Sequence, residues 1–317
     1  MKAVLSGSIA IDQIMNFEGS FTDLIQPDKI HVLSISPLVK KMTRTEGGIA
    51  GNIAYSLALL GEKPILLASA GSDATNYLAK LEKIGVNLTH LHLSQLPTAT
   101  FSVLTDSNDC QVGGFYPGAM SDASSLTLKP FIDDDILMVV SAHDPQQMAK
   151  QVLECAALKK KLLYDPGQQS LILDKKDLEQ AIATAEILIV NDYEMGLLSQ
   201  KLELTKEEII QKLPLCIITL GKAGASFYQK TDHHQEHLIP GITLRKALDP
   251  TGAGDTFRAG FIYAYLHHWT IKNAIQLANV VASFAVEQYG TQNHQLKWPI
   301  IKQRYKETYD EKCPTRL

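Results

Sequence analysis

A chain of 317 residues in which 45% of the side chains are hydrophobic can bury a large core, as one big α/β domain or two modest ones. Its formal net charge of -4 supplies no basic field to gather nucleic acid or an anionic membrane, so a small-molecule ligand is expected, with no nucleic-acid or membrane partner. Cys110, Cys155, Cys216 and Cys313 lie far apart with no CxxC pair, which argues against a disulfide framework or a zinc site and predicts reduced thiols in a cytoplasmic protein.

The amino-terminal run is interrupted by Ser6, Ser8 and Asp12 and reads as a first strand rather than a signal peptide. No stretch approaches the roughly 20 apolar residues of a membrane span. Apolar runs then alternate with segments of helical period, the pattern of βαβ units around a mostly parallel sheet. Strands are predicted over residues 3–9, 64–70, 136–141, 161–164, 187–190 and 216–220. Helices are predicted over residues 52–60, 74–84, 146–158, 205–212, 254–267 and 271–289.

Two stretches break the alternation. Residues 15–45 contain period-2 patches, and residues 98–115 contain an alternating run at 100–105. They predict strands without a crossover helix: a small β lid, made of segments at about 13–45 and 98–116, set into a single domain of residues 1–317. An antiparallel edge on the main sheet fits the same pattern.

The strongest chemical signal is Asp249-Pro250-Thr251-Gly252-Ala253-Gly254-Asp255-Thr256-Phe257-Arg258-Ala259-Gly260-Phe261. Pro250 stiffens the entry, and Gly252 and Gly254 bracket Ala253 in a turn whose amides can point one way. Phe257, Phe261 and Tyr265 recur at helical spacing, so the turn opens a buried helix. Amides at a helix start, with the positive end of the macrodipole, suit a phosphoryl group in transfer. Asp255 falls in the first turn, where a carboxylate can take an acceptor hydroxyl's proton, and the dipole is expected to keep it ionised. A second glycine segment, Glu46-Gly47-Gly48-Ile49-Ala50-Gly51-Asn52, leads into another helix. Its glycines let backbone approach a ligand, and Asn52 offers donor and acceptor to sugar hydroxyls. No GxxxxGK[ST] or GxGxxG run is present, so the Gly252–Gly254 turn must do the work of the phosphate cradle.

Together these two segments resemble the signatures of the ribokinase-like, or phosphofructokinase B, carbohydrate and nucleoside kinases. The similarity runs from Gly7 to Gln292 and is nearest to the bacterial adenosine kinases in the stretches 115–120, 165–169 and 191–194. The resemblance implies a three-layer α/β/α sandwich with a mostly parallel central sheet and a β lid, and an enzyme that moves the γ-phosphoryl of ATP to an alcohol, the 5'-hydroxyl of adenosine above all.

Carried over residue by residue, it implies an anion hole at Gly252, Ala253 and Gly254 with Asp255 as the base. It implies an acceptor site of Asp12, Gly48 and Asn52, with Ser8 and Ser36 as neighbours. Phe101 and Phe115 would clamp a purine, and Gln168 and Gln169 would meet the base edge. Asn191 and Glu194 match an N-x-x-E element that orders Mg²⁺, while Thr219, Gly221 and Gly224 match a nucleotide-side loop and Asn279 an adenine pocket. Lys222 could meet a phosphate. Asp249 and Thr251 match part of a monovalent-cation site, which makes K⁺ a possible activator. Ile49 stands where ribokinases usually carry a basic residue, which counts against a bare sugar as acceptor. A sugar kinase and a non-catalytic homologue are the alternatives, and the exposed edges of a lid suggest a homodimer.

Overall fold

The computed structural model describes residues 1–108, 110–123 and 125–314. In chain order its strands are β1 (Lys2–Ser6), β2 (Ala10–Phe17), β3 (Val39–Gly47), β4 (Ile65–Leu66), β5 (Ser69–Gly71), β6 (His92–Ser94) and β7 (Ala99–Thr105). They continue with β8 (Gln111–Tyr116), β9 (Ile136–Ser141), β10 (Lys161–Asp165), β11 (Ile187–Asn191), β12 (Leu215–Thr219), β13 (Gly224–Gln229) and β14 (His237–Pro240). The helices are α1 (Phe21–Leu24), α2 (Ile49–Leu59), α3 (Thr75–Lys83), α4 (Pro145–Leu158) and α5 (Lys175–Thr184). They end with α6 (Asp192–Leu202), α7 (Lys206–Gln211), α8 (Ala253–Leu266), α9 (Ile271–Val286) and α10 (Trp298–Tyr309).

The main sheet has the order β14-β13-β12-β11-β10-β9-β1-β4. Every pairing from β12 to β4 is parallel, and β13 and β14 extend that edge antiparallel. Its middle strands are buried on both faces, so their sequences are nearly continuous apolar runs, with ILMVVS in β9 wholly buried. Alternate residues serve opposite layers. Leu137 and Val139 join the core under α2, α3, α8, α9 and α10. Met138 and Val140 join the core under α4, α5, α6 and α7. This is the ribokinase-like three-layer architecture.

Strands β3-β2-β7-β8 form a sheet of their own, with β2 and β7 parallel and the outer pairs antiparallel. The stretch 64–70 is divided between sheets: β4 ends the main sheet, whereas β5 pairs with β6. Sequence patterning also passes over α5, α6, α10 and the β13–β14 hairpin. The β12–β13 reversal depends on Gly224 at φ 102, a tertiary turn without a periodic signal. No helix of the described residues is long and apolar enough to cross a membrane. All four cysteines are free, with Cys110 exposed and the others buried.

Candidate active site

Helix α8 starts from Gly252 at φ 77 and ψ 0, a left-handed conformation that glycine adopts without a Cβ penalty. No side chain caps the helix. The Ala253 N–H donates to the Pro250 carbonyl at 3.1 Å, so this amide is spent on the turn and is not free for an anion, contrary to expectation. The N–H groups of Gly254 and Asp255 find no acceptor among the described residues. They are the orphan donors of a helix start, and the macrodipole adds positive potential at the same point.

Asp255 keeps some solvent exposure yet lies deep among protein atoms. Burial pushes its carboxyl above the ordinary carboxylate range, although the Arg258 guanidinium and the Asn52 amide pull it back, and nearby Glu194 pushes it further up. Desolvation therefore outweighs the pull of Arg258 and Asn52, and the group is a better base than an exposed aspartate. Asn52, expected to face sugar hydroxyls, instead donates from Nδ2 to Asp255 Oδ2 at 2.7 Å. Its Oδ1 accepts from Gln292 Nε2 at 2.9 Å.

Arg258 and Asp165 form a buried pair that motif reading missed. Helical side chains lean toward the amino end of their helix, which lays the Arg258 guanidinium back over Gly254. Nη2 donates to Asp165 Oδ1 at 2.6 Å, and Nε lies 2.5 Å from Oδ2, close but outside hydrogen-bond alignment. Asp165 is wholly buried, and burial carries its carboxyl up to about 7 against the pull of the guanidinium. A Cβ on Gly254 would stand 2.8 Å from Arg258 Nη1, so glycine at this position makes room for the cation. An arginine one helical turn after Asp255 was the available signal.

On the acceptor side, Asp12 on β2 pairs in register with Thr45, and with Phe101, which pairs in turn with Phe115. Residues directly opposite one another share a sheet face, so the carboxylate and both aromatic rings line one row. Phe101 and Phe115 are exposed, at 38% and 49%, free to meet a flat ligand. Burial and then Asp255 raise the Asp12 carboxyl to about 6. The double glycine serves the protein's own packing. A Cβ on Gly47 would lie 2.6 Å from Asp12 Oδ2, and one on Gly48, at φ 87, would lie 2.5 Å from the Ser8 carbonyl.

The two expected neighbours of the acceptor site are differently engaged. Ser8 Oγ accepts from the Ile49 N–H at 3.0 Å and its carbonyl from Ala50 at 3.1 Å, so Ser8 caps α2. Ser36 lies exposed in the irregular stretch before β3, without a side-chain hydrogen bond among the described residues. Gln168 and Gln169 follow β10, the first exposed and the second with a buried Oε1 that has no partner among the described residues. Their loop packs toward α2: a Cβ on Gly167 would come 3.6 Å from Ile49 Cδ1.

A cleft of about 560 Å³ opens on the other side of the α8 start. Thr219, Gly221, Lys222, Gly224 and Asn279 line it together with Ala253 and Gly254, so residues scattered over about a fifth of the chain meet at one wall. Asn279 Nδ2 donates to the Pro240 carbonyl at 3.2 Å and to Tyr309 Oη at 3.1 Å, which leaves its oxygen for a ligand.

Asn191 pairs with Thr219 across β11–β12, but its side chain caps α6. In this capping box Asn191 Oδ1 accepts from the Glu194 N–H at 2.7 Å, and Glu194 Oε2 from the Asn191 N–H at 2.8 Å. The box thus takes one lone pair of the Asn191 oxygen and leaves its Nδ2 as the group able to donate to a nucleotide. One Glu194 oxygen remains, and no group of three His, Cys, Asp or Glu among the described residues could hold a metal ion. That donor set fits only a cation such as Mg²⁺ that keeps most of its waters and leans on phosphate. Asp249 accepts from the N–H groups of Thr251 and Gly290, both at 2.9 Å, so K⁺ beside it would rely on backbone oxygens.

The sequence profile of the pfkB family of carbohydrate kinases matches residues 10–298. A nucleoside kinase of Methanothermobacter thermautotrophicus is 32% identical over 282 residues, covering 87% of this chain and 89% of that protein. The Burkholderia thailandensis nucleoside kinase, solved in complex with inosine, superposes with a TM-score of 0.85 at 30% identity, over 98% of this chain and 99% of that one. A ribokinase of Lactococcus lactis is 26% identical over 82% of this chain and 86% of its own.

Proposed function

Because the chain belongs to the pfkB family of carbohydrate kinases and is a phosphotransferase, we propose that it is a nucleoside kinase. It transfers the γ-phosphoryl of ATP to the 5'-hydroxyl of a purine nucleoside, with adenosine as its leading acceptor. The observation that carries this reading is the place of Asp255. Asp255 directly follows Ala253 and Gly254, which line the cleft with Thr219 and Asn279, and it lies near enough to Asp12, in the row of Phe101 and Phe115, to raise that carboxyl.

The hydroxyl proton passes to Asp255 as the oxygen bonds to phosphorus and the bond to the β-phosphate bridge breaks, releasing ADP. The N–H groups of Gly254 and Asp255 and the Arg258 guanidinium offset the charge on the migrating group. Asp12 accepts from the ribose hydroxyls, while the phenylalanines stack on the base. Glu194 would hold Mg²⁺ through water, and the ion when bound neutralises phosphate charge. Free thiols are in keeping with a cytoplasmic enzyme.

The test is ADP release from Mg-ATP with adenosine, inosine, ribose and fructose in parallel, alongside an Asp255→Asn variant. Turnover of either sugar above both nucleosides would replace this reading with a sugar kinase, for which the exposed phenylalanine pair has no task. Undiminished transfer by Asp255→Asn would remove the base. The small sheet, acting as a lid, also suits a homodimer. On its face opposite Asp12, Met42, Met15, Leu104 and Val112 form one register row, with Met42 63% and Val112 57% exposed. Sedimentation of the protein and of Met42→Glu tests that pairing.

A further inference from the structure

Asp255 receives a hydrogen bond whose direction is set two residues away. Tyr77 is wholly buried, and burial lifts its phenol above the ordinary range, so it remains protonated. Its single proton goes to the Gly47 carbonyl at 2.9 Å, an atom that can only accept. Toward Gln292, 2.6 Å away, the phenol oxygen must therefore accept, which obliges Gln292 to present its amide nitrogen. That nitrogen's other proton goes to Asn52 Oδ1 at 2.9 Å, so Asn52 must in turn present Nδ2 to Asp255 at 2.7 Å. Every donor in the series is fixed by the backbone carbonyl at its far end.

The packing supports the series. Gln292 and Asn52 are 4% exposed each. A Cβ on Gly51 would meet the Tyr77 oxygen at 2.0 Å, so a glycine there is needed for the phenol to reach Gly47. The neighbouring Thr291 donates to the Glu46 carbonyl at 2.8 Å, and the Gly290 N–H to Asp249 at 2.9 Å. Residues 290–292 thus staple the double-glycine segment to the anion turn. Gln292 Oε1 is buried without a partner among the described residues, so its orientation is dictated by its donors.

We propose that Gln292 is a positioning residue: it decides which end of the Asn52 amide faces the Asp255 carboxylate, and so keeps that carboxylate an acceptor. The proposal rests on the base role of Asp255 and deepens it. The charged groups that face Asp255 are Arg258 of the same helix, Asp12 of β2, Asp165 of β10 and Glu194 of α6, and the test leaves all of them in place.

Two variants reverse or delete the donor. In Gln292→Glu the carboxylate accepts from Asn52 Nδ2, which turns Asn52 Oδ1 onto Asp255. Gln292→Met keeps the volume, adds no charge and leaves Asn52 free to turn. The measurement is kcat and KM against pH with saturating Mg-ATP, and melting temperature as a check on folding. Both variants are expected to move the acid limb of the kcat profile upward. The shift is about one pH unit in Gln292→Glu and less in Gln292→Met, with a fall in kcat of about tenfold near neutral pH and KM for the nucleoside within about twofold. A lower melting temperature with an unmoved pH profile in Gln292→Met would overturn the proposal, because packing alone predicts that result. If Gln292→Glu does not fold, Gln292→Met decides alone. Should Asp255→Asn remain active, the base assignment itself falls; should it be inactive while both Gln292 profiles match the parent, only the relay falls.

Discussion

Replacing Asp12 by asparagine is expected to stabilise the protein while weakening acceptor binding. The Asp12 carboxyl is raised from 3.8 to about 6 by burial first and by Asp255 second. At about 1.4 kcal/mol for each tenfold in proton affinity, the ionised side chain costs the folded state about 3 kcal/mol. Asp12 is only partly buried, so solvent screening reduces this to on the order of 1–2 kcal/mol. The sign follows from the folded-state value lying above the unfolded one. Below about pH 4 both states are protonated and no cost exists; the cost develops as the pH rises through about 6 and is complete near neutrality.

The Asp12→Asn substitution removes the charge at nearly constant volume, so the variant should melt about 2–6 °C higher at about pH 7 and at the parent's temperature near pH 4. The nucleoside KM should rise about tenfold or more, since a neutral amide is a poorer acceptor for two hydroxyls than a carboxylate. Thermal melts at both pH values, with kinetics at neutral pH, check both halves. An equal gain at both pH values, or a loss near neutrality, would refute the electrostatic argument.

Acceptor kcat/KM of the parent should decline as the pH falls through about 6, because protonated Asp12 no longer accepts from both hydroxyls; a profile flat to pH 5 counts against it. Asp165→Ala strands a buried guanidinium and should cost about 3–5 kcal/mol in urea unfolding, whereas Asp165→Leu with Arg258→Met should recover most of that loss. Gly48→Ala places a Cβ 2.5 Å from the Ser8 carbonyl at φ 87, and a soluble, fully active variant would contradict the crowding described. Phe101→Ala should raise KM for nucleosides by about fivefold or more while leaving that for Mg-ATP unchanged, measured by initial rates with each substrate varied.

Some of this is legible along the chain because it is local. Strand β9 can be read residue for residue, since a strand buried on both faces is a continuous apolar run between polar ends. The α8 start reads almost as well, because a proline, two glycines and an aspartate in close succession specify a turn and helix entry whatever surrounds them. The cleft residues Thr219, Gly221, Gly224 and Asn279 are named by resemblance, and they meet at one wall.

What the fold decided is long-range and electrostatic. Ser8 and Asn191 have the side chains of ligand contacts, but neighbouring amides claim them first, and only coordinates reveal that competition. The dipole that acts on Asp255 can be inferred from a first-turn position, whereas the burial that raises its carboxyl, and the Asn52 and Glu194 groups that adjust it, come together only in the fold. Arg258 and Asp165 are 93 residues apart, and Gln292 and Asn52 are 240 apart. Periodicity reports which side chains are buried; it carries no record of which distant partner each buried polar group must find, and those partners set the chemistry of this site.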